Sequence, residues 1–239
     1  MARAEVFALA PAIETRDICK EFVTRSGFWG FLRPRSRTVL ERVTVAFPAG
    51  AVCGLSGPNG AGKTTFLKIL SGILLPTSGS VLLSGAEVSA QGASWRKSVA
   101  ITIAESRSFY WRLTCRQNLE FFAALLGLDA GQRTPRIDAV ASRIGVADFL
   151  DERFSTLSSG QMQRMALARA LLSDPDVWLL DEPERDLDKT GVDALRNEIE
   201  SMRRSGRCVV LVSHDDDALQ ALCDPVVRLE HGRIQRPGA

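Results

Sequence analysis

A glycine-rich segment directly after a short apolar run is the feature that most constrains how this chain can fold. Residues 57–64 read GPNGAGKT, which fits the pattern G-x-x-x-x-G-K-[ST] at every fixed position. The apolar run 51–55 precedes the loop, and Lys63 to Ser71 reads as a helix. A buried strand, a glycine loop and a helix in this order are typical of phosphate-binding loops. The sequence therefore predicts an α/β fold with a site for a phosphorylated ligand.

Each residue type in this loop has a physical role. Glycines let the backbone turn so that several N–H groups point at one phosphate, and the following helix adds the positive end of its dipole. Lys63 is predicted to place a cation at the β- and γ-phosphates, and Thr64 to offer its hydroxyl to Mg²⁺. The predicted nucleotide-binding residues of the segment are Gly57, Pro58, Asn59, Gly60, Ala61, Gly62, Lys63, Thr64 and Thr65.

Two adjacent carboxylates follow a second apolar run, 177–180. Ligands of open α/β sheets bind at the carboxyl ends of the strands, where Asp181 and Glu182 would lie. Asp181 is predicted to hold the Mg²⁺ shell, and Glu182 to polarise the attacking water as a general base. Many strands end in acidic residues, so this pattern is a weak indication by itself. It becomes a strong one because a phosphate loop precedes it in the chain. Together the two predict nucleoside triphosphate hydrolysis.

Strand and helix patterns alternate at both ends of the chain, which predicts a mostly parallel sheet covered by helices. The middle has helical spacing instead. We expect one domain over residues 1–239, with an α/β core at about 1–90 and 166–239 and a helical insert at about 91–165. Residues 25–37 hold four arginines, three aromatic residues and no acid, and are predicted to form a hairpin insertion.

Composition excludes several classes of protein. The net charge is only +2, from 30 basic and 28 acidic residues, which gives no electrostatic reason to expect a nucleic-acid partner. No apolar stretch approaches the roughly 20 residues of a membrane-spanning helix. The five cysteines form no C-x-x-C pair, so neither a disulfide framework nor a zinc site is indicated, and a reducing, cytoplasmic location is expected.

A third motif identifies a family. Leu157-Ser158-Ser159-Gly160-Gln161 opens a helix and is followed by Gln163 and Arg164. At these residues the chain resembles the nucleotide-binding subunit of an ATP-binding cassette (ABC) transporter, over nearly its whole length. The family signature is LSGGQ, and Ser159 replaces its first glycine. The order of motifs is also that of the family: phosphate loop, helical insert, signature, Asp-Glu strand, then Ser213-His214 after a strand.

The resemblance implies a fold and a mechanism. The fold is a phosphate-loop (RecA-like) core with an N-terminal antiparallel β part and an inserted α-helical subdomain. Family members bind ATP and Mg²⁺ and close head-to-tail around two ATP molecules, so the signature of one chain faces the phosphate loop of the other. The signature residues implied to touch the nucleotide across that interface are Ser158, Ser159, Gly160 and Gln161. Glu182 matches the catalytic glutamate and His214 the switch histidine that contacts the γ-phosphate.

Several positions stay open. For His214, the alternative to the switch role is a surface histidine at a strand end. Phe22 lies where the family places an aromatic residue that stacks on adenine, and a core phenylalanine is the rival reading. Glu105 stands where the family has a glutamine that reaches the metal, and because ionised glutamate only accepts hydrogen bonds, we expect altered turnover. Arg185 and Asp186 depart from the family's Ser-Ala in the loop after the catalytic glutamate.

The resemblance also implies partners. Without a membrane span of its own, the chain is expected to work with a separate transmembrane permease subunit, at the cytoplasmic face of the membrane. Residues 109–113 and the helix 118–126 are the expected dock, with ordinary packing inside the insert as the alternative. The basic hairpin could lie near acidic lipid or the permease, or be a solvated loop. A homodimer and a heterodimer with a second cassette are both open.

The favoured hypothesis is an ATPase subunit that powers transport, with export as the favoured direction. The run 109–126 and the basic hairpin resemble subunits of ABC-2-type exporters. Two alternatives stay open: a soluble ABC ATPase of the assembly-scaffold type, and a nucleotide-binding regulator with weak hydrolysis. Neither the substrate nor its direction of transport can be read from the residues themselves.

Overall fold

The computed structural model describes residues 10–24, 35–92, 94–103, 109–213 and 216–235. Its strands in chain order are β1 (Pro11–Thr24), β2 (Arg35–Pro48), β3 (Val52–Ser56), β4 (Ser78–Leu83), β5 (Ala86–Glu87), β6 (Val99–Thr102), β7 (Val177–Asp181), β8 (Cys208–Val212), β9 (Val226–Glu230) and β10 (Arg233–Gln235). The helices are α1 (Lys63–Leu70), α2 (Cys115–Leu125), α3 (Ala130–Ile144), α4 (Ser159–Leu171), α5 (Lys189–Arg204) and α6 (Asp216–Leu222).

The strands form two sheets. An antiparallel sheet has the order β2-β1-β4-β5, and a second sheet has the order β10-β9-β3-β8-β7-β6. All pairs of the second sheet are parallel except β9 with β10. Residues of β3, β7 and β8 are buried throughout, which explains why these strands read as continuous apolar runs rather than alternating ones. The predicted α/β class with an N-terminal antiparallel part is confirmed.

Strand β7 separates two hydrophobic cores. Trp178 and Leu180 pack into the core that includes α2 to α5, whereas Val177 and Leu179 face the core between the two sheets and α1. Alternate residues of a strand point to opposite faces, so one short run serves both cores. The fully buried Trp178 donates its indole N–H to the Thr102 hydroxyl at 3.1 Å. Asp181, at the end of this strand, is therefore carried by a rigid element.

One predicted boundary needs correction. The expected insert at 91–165 contains β6, which pairs with β7 in the parallel sheet, so the helices of the insert begin after the core sheet's edge strand. Four residues are too few to give a period-two signal. Of the segment 25–37 that is predicted to form a hairpin insertion, residues 35–37 belong to β2, and residues 25–34 lie outside the described ranges. Across the described ranges, no helix is both long and apolar enough to cross a bilayer.

Candidate functional site

The predicted phosphate loop joins β3 to α1 at the carboxyl edge of the parallel sheet. A Cβ added at Gly57 would overlap the carbonyl oxygen of Leu229, and the φ of this glycine is 143°. Gly62 is the N-cap of α1 with a φ of 104°, and no described side chain caps this helix. The first N–H groups of α1 therefore have no side-chain acceptor, which is the arrangement that a bound anion needs.

Lys63 lies against the loop that precedes it. Its ammonium group donates to the carbonyl oxygens of Gly57 at 2.6 Å and Pro58 at 3.1 Å, and its side chain is buried. The Ala61 N–H also donates to the Pro58 carbonyl, at 3.2 Å, which closes the turn. The loop thus holds a cation beside an open helix N-terminus, and its contact with the β- and γ-phosphates stays a prediction.

Two of the three residues predicted to bind Mg²⁺, Thr64 and Asp181, meet at the end of β7. The Thr64 hydroxyl donates to Asp181 Oδ2 at 2.6 Å, across 117 residues of sequence. Glu182 follows with a φ of 50°, in the left-handed region that side chains rarely adopt. Its N–H donates to the carbonyl of Val212 at 2.9 Å, at the end of β8. The strained backbone of Glu182 lies beside the hydroxyl of Thr64 and the carboxylate of Asp181. Such strain is common at functional sites, so the carboxyl edge of the sheet is a candidate site.

A cavity of about 480 Å³ opens over these residues. Phe22 lies on its wall with 41% of its surface exposed, so the core alternative for this residue is wrong. Sequence reasoning missed two wall residues, Arg37 and Val39, because it placed the first in a hairpin and gave the second no role. Among the described residues, the lining consists of Phe22, Arg37, Val39, Asn59, Gly60, Gly62, Lys63, Thr64, Thr65, Asp181 and Glu182.

The signature residues lie elsewhere. Ser158 is the N-cap of α4 and forms a capping box with Gln161: the Gln161 N–H donates to Ser158 Oγ at 3.3 Å, and the Ser158 N–H donates to Gln161 Oε1 at 2.9 Å. Ser158 and Ser159 are exposed. None of the residues from Ser158 to Gln161 lines the cavity over the phosphate loop. Within one chain, the structure does not bring the two motifs together.

The signature helix instead contacts the loop that follows Glu182. The buried Gln163 donates its Nε2–H to the carbonyl of Pro183 at 3.3 Å. A Cβ added at Gly160 would lie 2.6 Å from the carbonyl oxygen of Asp186, so the two backbones touch. Arg164 forms an ion pair with Asp188, the N-cap of α5. The signature helix and the loop that follows Glu182 are therefore packed together.

Comparison with known proteins agrees with this arrangement. The sequence model described as ABC transporter matches residues 40–185. The chain belongs to the ABC transporter family. The ATP-binding protein NatA of Bacillus subtilis is 34% identical over 197 residues, which cover 82% of this chain and 80% of NatA. The cobalt import ATP-binding protein CbiO of Rhodobacter capsulatus is 33% identical over 212 residues, or 86% and 75% of the two chains.

Solved structures show the same fold. CbiO1 of Clostridium perfringens, part of the transporter complex CbiONQ, has a TM-score of 0.76 at 25% identity, over 95% of this chain and 88% of its own. The cassette MJ0796 in a dimeric post-hydrolysis state with ADP and Pi has a TM-score of 0.79 at 22% identity, over 94% and 97%. The predicted family and ATPase class are confirmed, and this cassette is an ATP-binding, ATP-hydrolysing subunit of an ABC transporter.

Two predicted site residues of the cassette, Glu105 and His214, lie outside the described residues. Ser213, which follows β8 directly, is described. The predicted dock is divided: Phe109 is buried and stacks on Phe154 with ring centroids 4.4 Å apart, which is internal packing. Tyr110 and Trp111 are about half exposed, at 50% and 47%. In the predicted helix of the dock, Phe121 and Leu125 are exposed as well, so both parts of the predicted dock present apolar side chains at the surface.

Proposed function

We propose that the cassette binds ATP with its phosphates on the loop from Gly57 to Thr65, and that Glu182 activates the attacking water. The hydrogen bond between Thr64 and Asp181 carries this proposal. It joins the loop to the strand that bears the two carboxylates, at the mouth of the shared cavity. In this proposal Lys63 contacts the β- and γ-phosphates, and Phe22 borders the base. His214 and Glu105 keep the roles implied by the family.

The same pair fits a magnesium ion. A hydroxyl and a carboxylate oxygen are the ligand types that Mg²⁺ prefers, completed by water and by phosphate oxygens. Bound there, Mg²⁺ would neutralise charge that develops on the phosphates. Thr64 and Asp181 would hold it, while Glu182, the next residue, accepts the proton of the water. The loop backbone and Lys63 orient the triphosphate and carry much of its charge.

The position of the signature supports a head-to-tail dimer. Ser158, Ser159, Gly160 and Gln161 lie outside the cavity of their own chain, so in this proposal they complete the site of a partner chain. The exposed start of α4 offers a hydroxyl and helix N–H groups to the γ-phosphate there. The dimeric description of the solved cassette with ADP and Pi is consistent with this arrangement. We propose a homodimer as the simplest form and a heterodimer with a second cassette as the other.

The cassette is further proposed to drive a separate permease, from the cytoplasmic face of the membrane. CbiO1 belongs to a multi-component transporter complex, and the half-exposed Tyr110 and Trp111 offer aromatic anchors for such a partner. The insert from residue 103 to about 165 and the α/β core around it are proposed as parts of one domain. We keep export as the proposed direction, although relatives include the cobalt and methionine import proteins CbiO and MetN.

Trapping the ATP-bound state tests this function. Glu182→Gln keeps the shape of the side chain but removes the base, so we expect ATPase turnover to fall at least about 100-fold. Multi-angle light scattering should then detect a dimer in the presence of ATP and Mg²⁺. Glu184→Gln is the matched control, because Glu184 pairs with Arg196 instead; it should leave turnover within about twofold of wild type. Loss of turnover in both variants, or in neither, would refute the assignment of Glu182.

Co-purification tests the partner and the direction. The tagged cassette, solubilised from membranes in mild detergent, should carry a membrane-spanning protein with it, and Tyr110→Ala with Trp111→Ala should release that protein. A cassette that remains active and unattached to any membrane protein would favour the assembly-scaffold alternative.

Export predicts that inverted vesicles accumulate the substrate when ATP is added outside; depletion of the substrate from the vesicle lumen would mean import.

A further inference from the structure

Strand β2 brings a cation to the wall of the nucleotide cavity. Arg37 lines the cavity together with Phe22 and the phosphate-loop residues. It stands directly opposite Phe22 in the antiparallel pairing of β1 with β2, where paired Cβ atoms are about 5 Å apart and point to the same face. A guanidinium and an aromatic ring therefore border the same part of the cavity.

A bulge in β2 decides which side chains reach that wall. Lys20 is opposite Leu40 and Glu21 is opposite Thr38, so Val39 is an extra residue on β2. Bulges change the direction in which neighbouring side chains point, and both Val39 and Arg37 line the cavity here. Without the extra residue, the pairing of Phe22 with Arg37 would be lost. The bulge is therefore part of how the wall is built.

The order of residues along β2 places Arg37 at the end of the cavity that is away from the phosphate loop. A Cβ added at Gly62 would lie 3.1 Å from the carbonyl oxygen of Val39 and 2.9 Å from a methyl group of Leu40. These two residues thus touch the phosphate loop, and Arg37 lies further along the strand from it. A nucleotide whose phosphates occupied the loop would therefore extend its ribose and base over Val39 toward Phe22 and Arg37.

The charges around Phe22 leave Arg37 available to a ligand. Lys20 lies 5.1 Å from the centroid of the Phe22 ring, but its ammonium group already donates to the Leu75 carbonyl at 2.8 Å. Within the described ranges, no carboxylate lies at ion-pair distance from Arg37, which is exposed. A guanidinium can stack on a base and donate to ribose or base acceptors at once, which an ammonium cannot.

We propose that Arg37 is a nucleotide-binding residue that holds the nucleoside part of ATP against Phe22. The inference rests on the proposed function of the phosphate loop and extends it to the opposite end of the cavity. The phosphates supply most of the binding energy through Lys63 and the loop. Arg37 adds affinity that depends on the ribose and base, and so distinguishes a nucleotide from a bare polyphosphate.

Isothermal titration calorimetry at fixed ionic strength tests this. ATP, ADP and inorganic tripolyphosphate are titrated, with Mg²⁺, into the full-length wild type, Arg37→Gln and Arg37→Lys. We expect Arg37→Gln to weaken ATP and ADP roughly tenfold, while tripolyphosphate affinity stays within about twofold. Arg37→Lys should recover only part of the loss, because an ammonium restores the charge without the planar stack.

Two controls separate this inference from the proposed function. Arg42→Gln makes the same charge change on the same strand, at a residue that lines a different cavity, and should not change ATP affinity. Lys63→Ala should weaken ATP and tripolyphosphate alike. Unchanged ATP affinity in Arg37→Gln, or an equal loss for tripolyphosphate, would overturn the role of Arg37 alone. Unchanged affinity of both ligands in Lys63→Ala would instead overturn the phosphate-loop site.

Discussion

Two helices of the cassette begin at residues predicted to touch phosphate, and they begin differently. Helix α1 starts at Gly62, in the left-handed region and without a side-chain cap. Helix α4 starts at Ser158 and satisfies its own N-terminus through the reciprocal bonds with Gln161. A capping box occupies orphan N–H groups that an anion would otherwise bind.

The difference indicates two kinds of phosphate contact. The open start of α1 keeps its backbone donors for the ligand, and backbone conformation alone holds it in place. The start of α4 is stable by itself, and its Ser158 hydroxyl has to be shared between Gln161 and any nucleotide. The first suits a permanent binding site, whereas the second suits a contact that forms when two chains close and breaks when they part.

Distorting the phosphate loop that leads to the open helix start should have the largest effect. Gly57→Ala forces a side chain against the Leu229 carbonyl at a positive φ, and we expect a loss of about 3 kcal/mol in unfolding free energy, with ATP binding abolished. Gly60→Ala is the matched control, because nothing lies within 4 Å of the added Cβ; it should cost about 1 kcal/mol for its left-handed backbone. Urea denaturation measures both. Equal costs would mean that the overlap at Gly57 is relieved by movement.

Removing the cap of α4 should have a smaller effect on stability and a separate effect on activity. Helix α2 carries the same capping box, formed by Thr114 and Gln117, so Ser158→Ala and Thr114→Ala should each cost about 1 kcal/mol of unfolding free energy. Only Ser158→Ala should lower steady-state ATPase turnover, by roughly tenfold for one lost phosphate contact. If both variants reduce turnover equally, the cap matters through stability, and the transient contact inferred for Ser158 is wrong.

Local motifs made most of the site predictable. The loop residues, the carboxylates after β7 and the Ser158 helix start are each encoded within a few consecutive residues, whose backbone conformation follows from glycine, apolar and cap chemistry. Asp181 reaches Thr64 because β7 and β3 run in the same direction in one sheet, so both strands end at its carboxyl edge. The phosphate loop and the carboxylate pair could therefore be predicted before any pairing of strands was known.

Features that depend on strand pairing could not be predicted. Arg37 reaches the cavity because a bulge at Val39 places it opposite Phe22. The register between two long strands cannot be predicted from the sequence of either strand alone. Strand β6 was missed because its four residues gain their strand identity from pairing with β7. The link from Gln163 to the Pro183 carbonyl joins two motifs that the sequence separates by a whole strand.

The start of a third helix, α5, differs from the other two because its capping group can be titrated. The N-cap of α5 is Asp188, whose carboxylate accepts from the Gly191 N–H at 2.9 Å and pairs with Arg164. The Gly191 hydrogen bond first, and then Arg164, hold the pKa of this carboxyl below its usual value of 3.8. Because the folded-state pKa is lowered, the stabilisation is fully present above about pH 4 and is lost as the pH falls through the lowered pKa.

Replacing that carboxylate should remove the acid sensitivity while keeping the cap. Asp188→Asn retains a side-chain acceptor for Gly191 but cannot titrate, so its unfolding free energy should differ from wild type above pH 4 and converge with it toward pH 2. The hydroxyl cap at Ser158 has no proton to gain, so Ser158→Ala should show the same cost across this range. Measuring thermal unfolding from pH 2.5 to 7 decides the point. Parallel curves for wild type and Asp188→Asn would mean that folding does not lower the pKa of Asp188, and that its negative charge contributes nothing to stability.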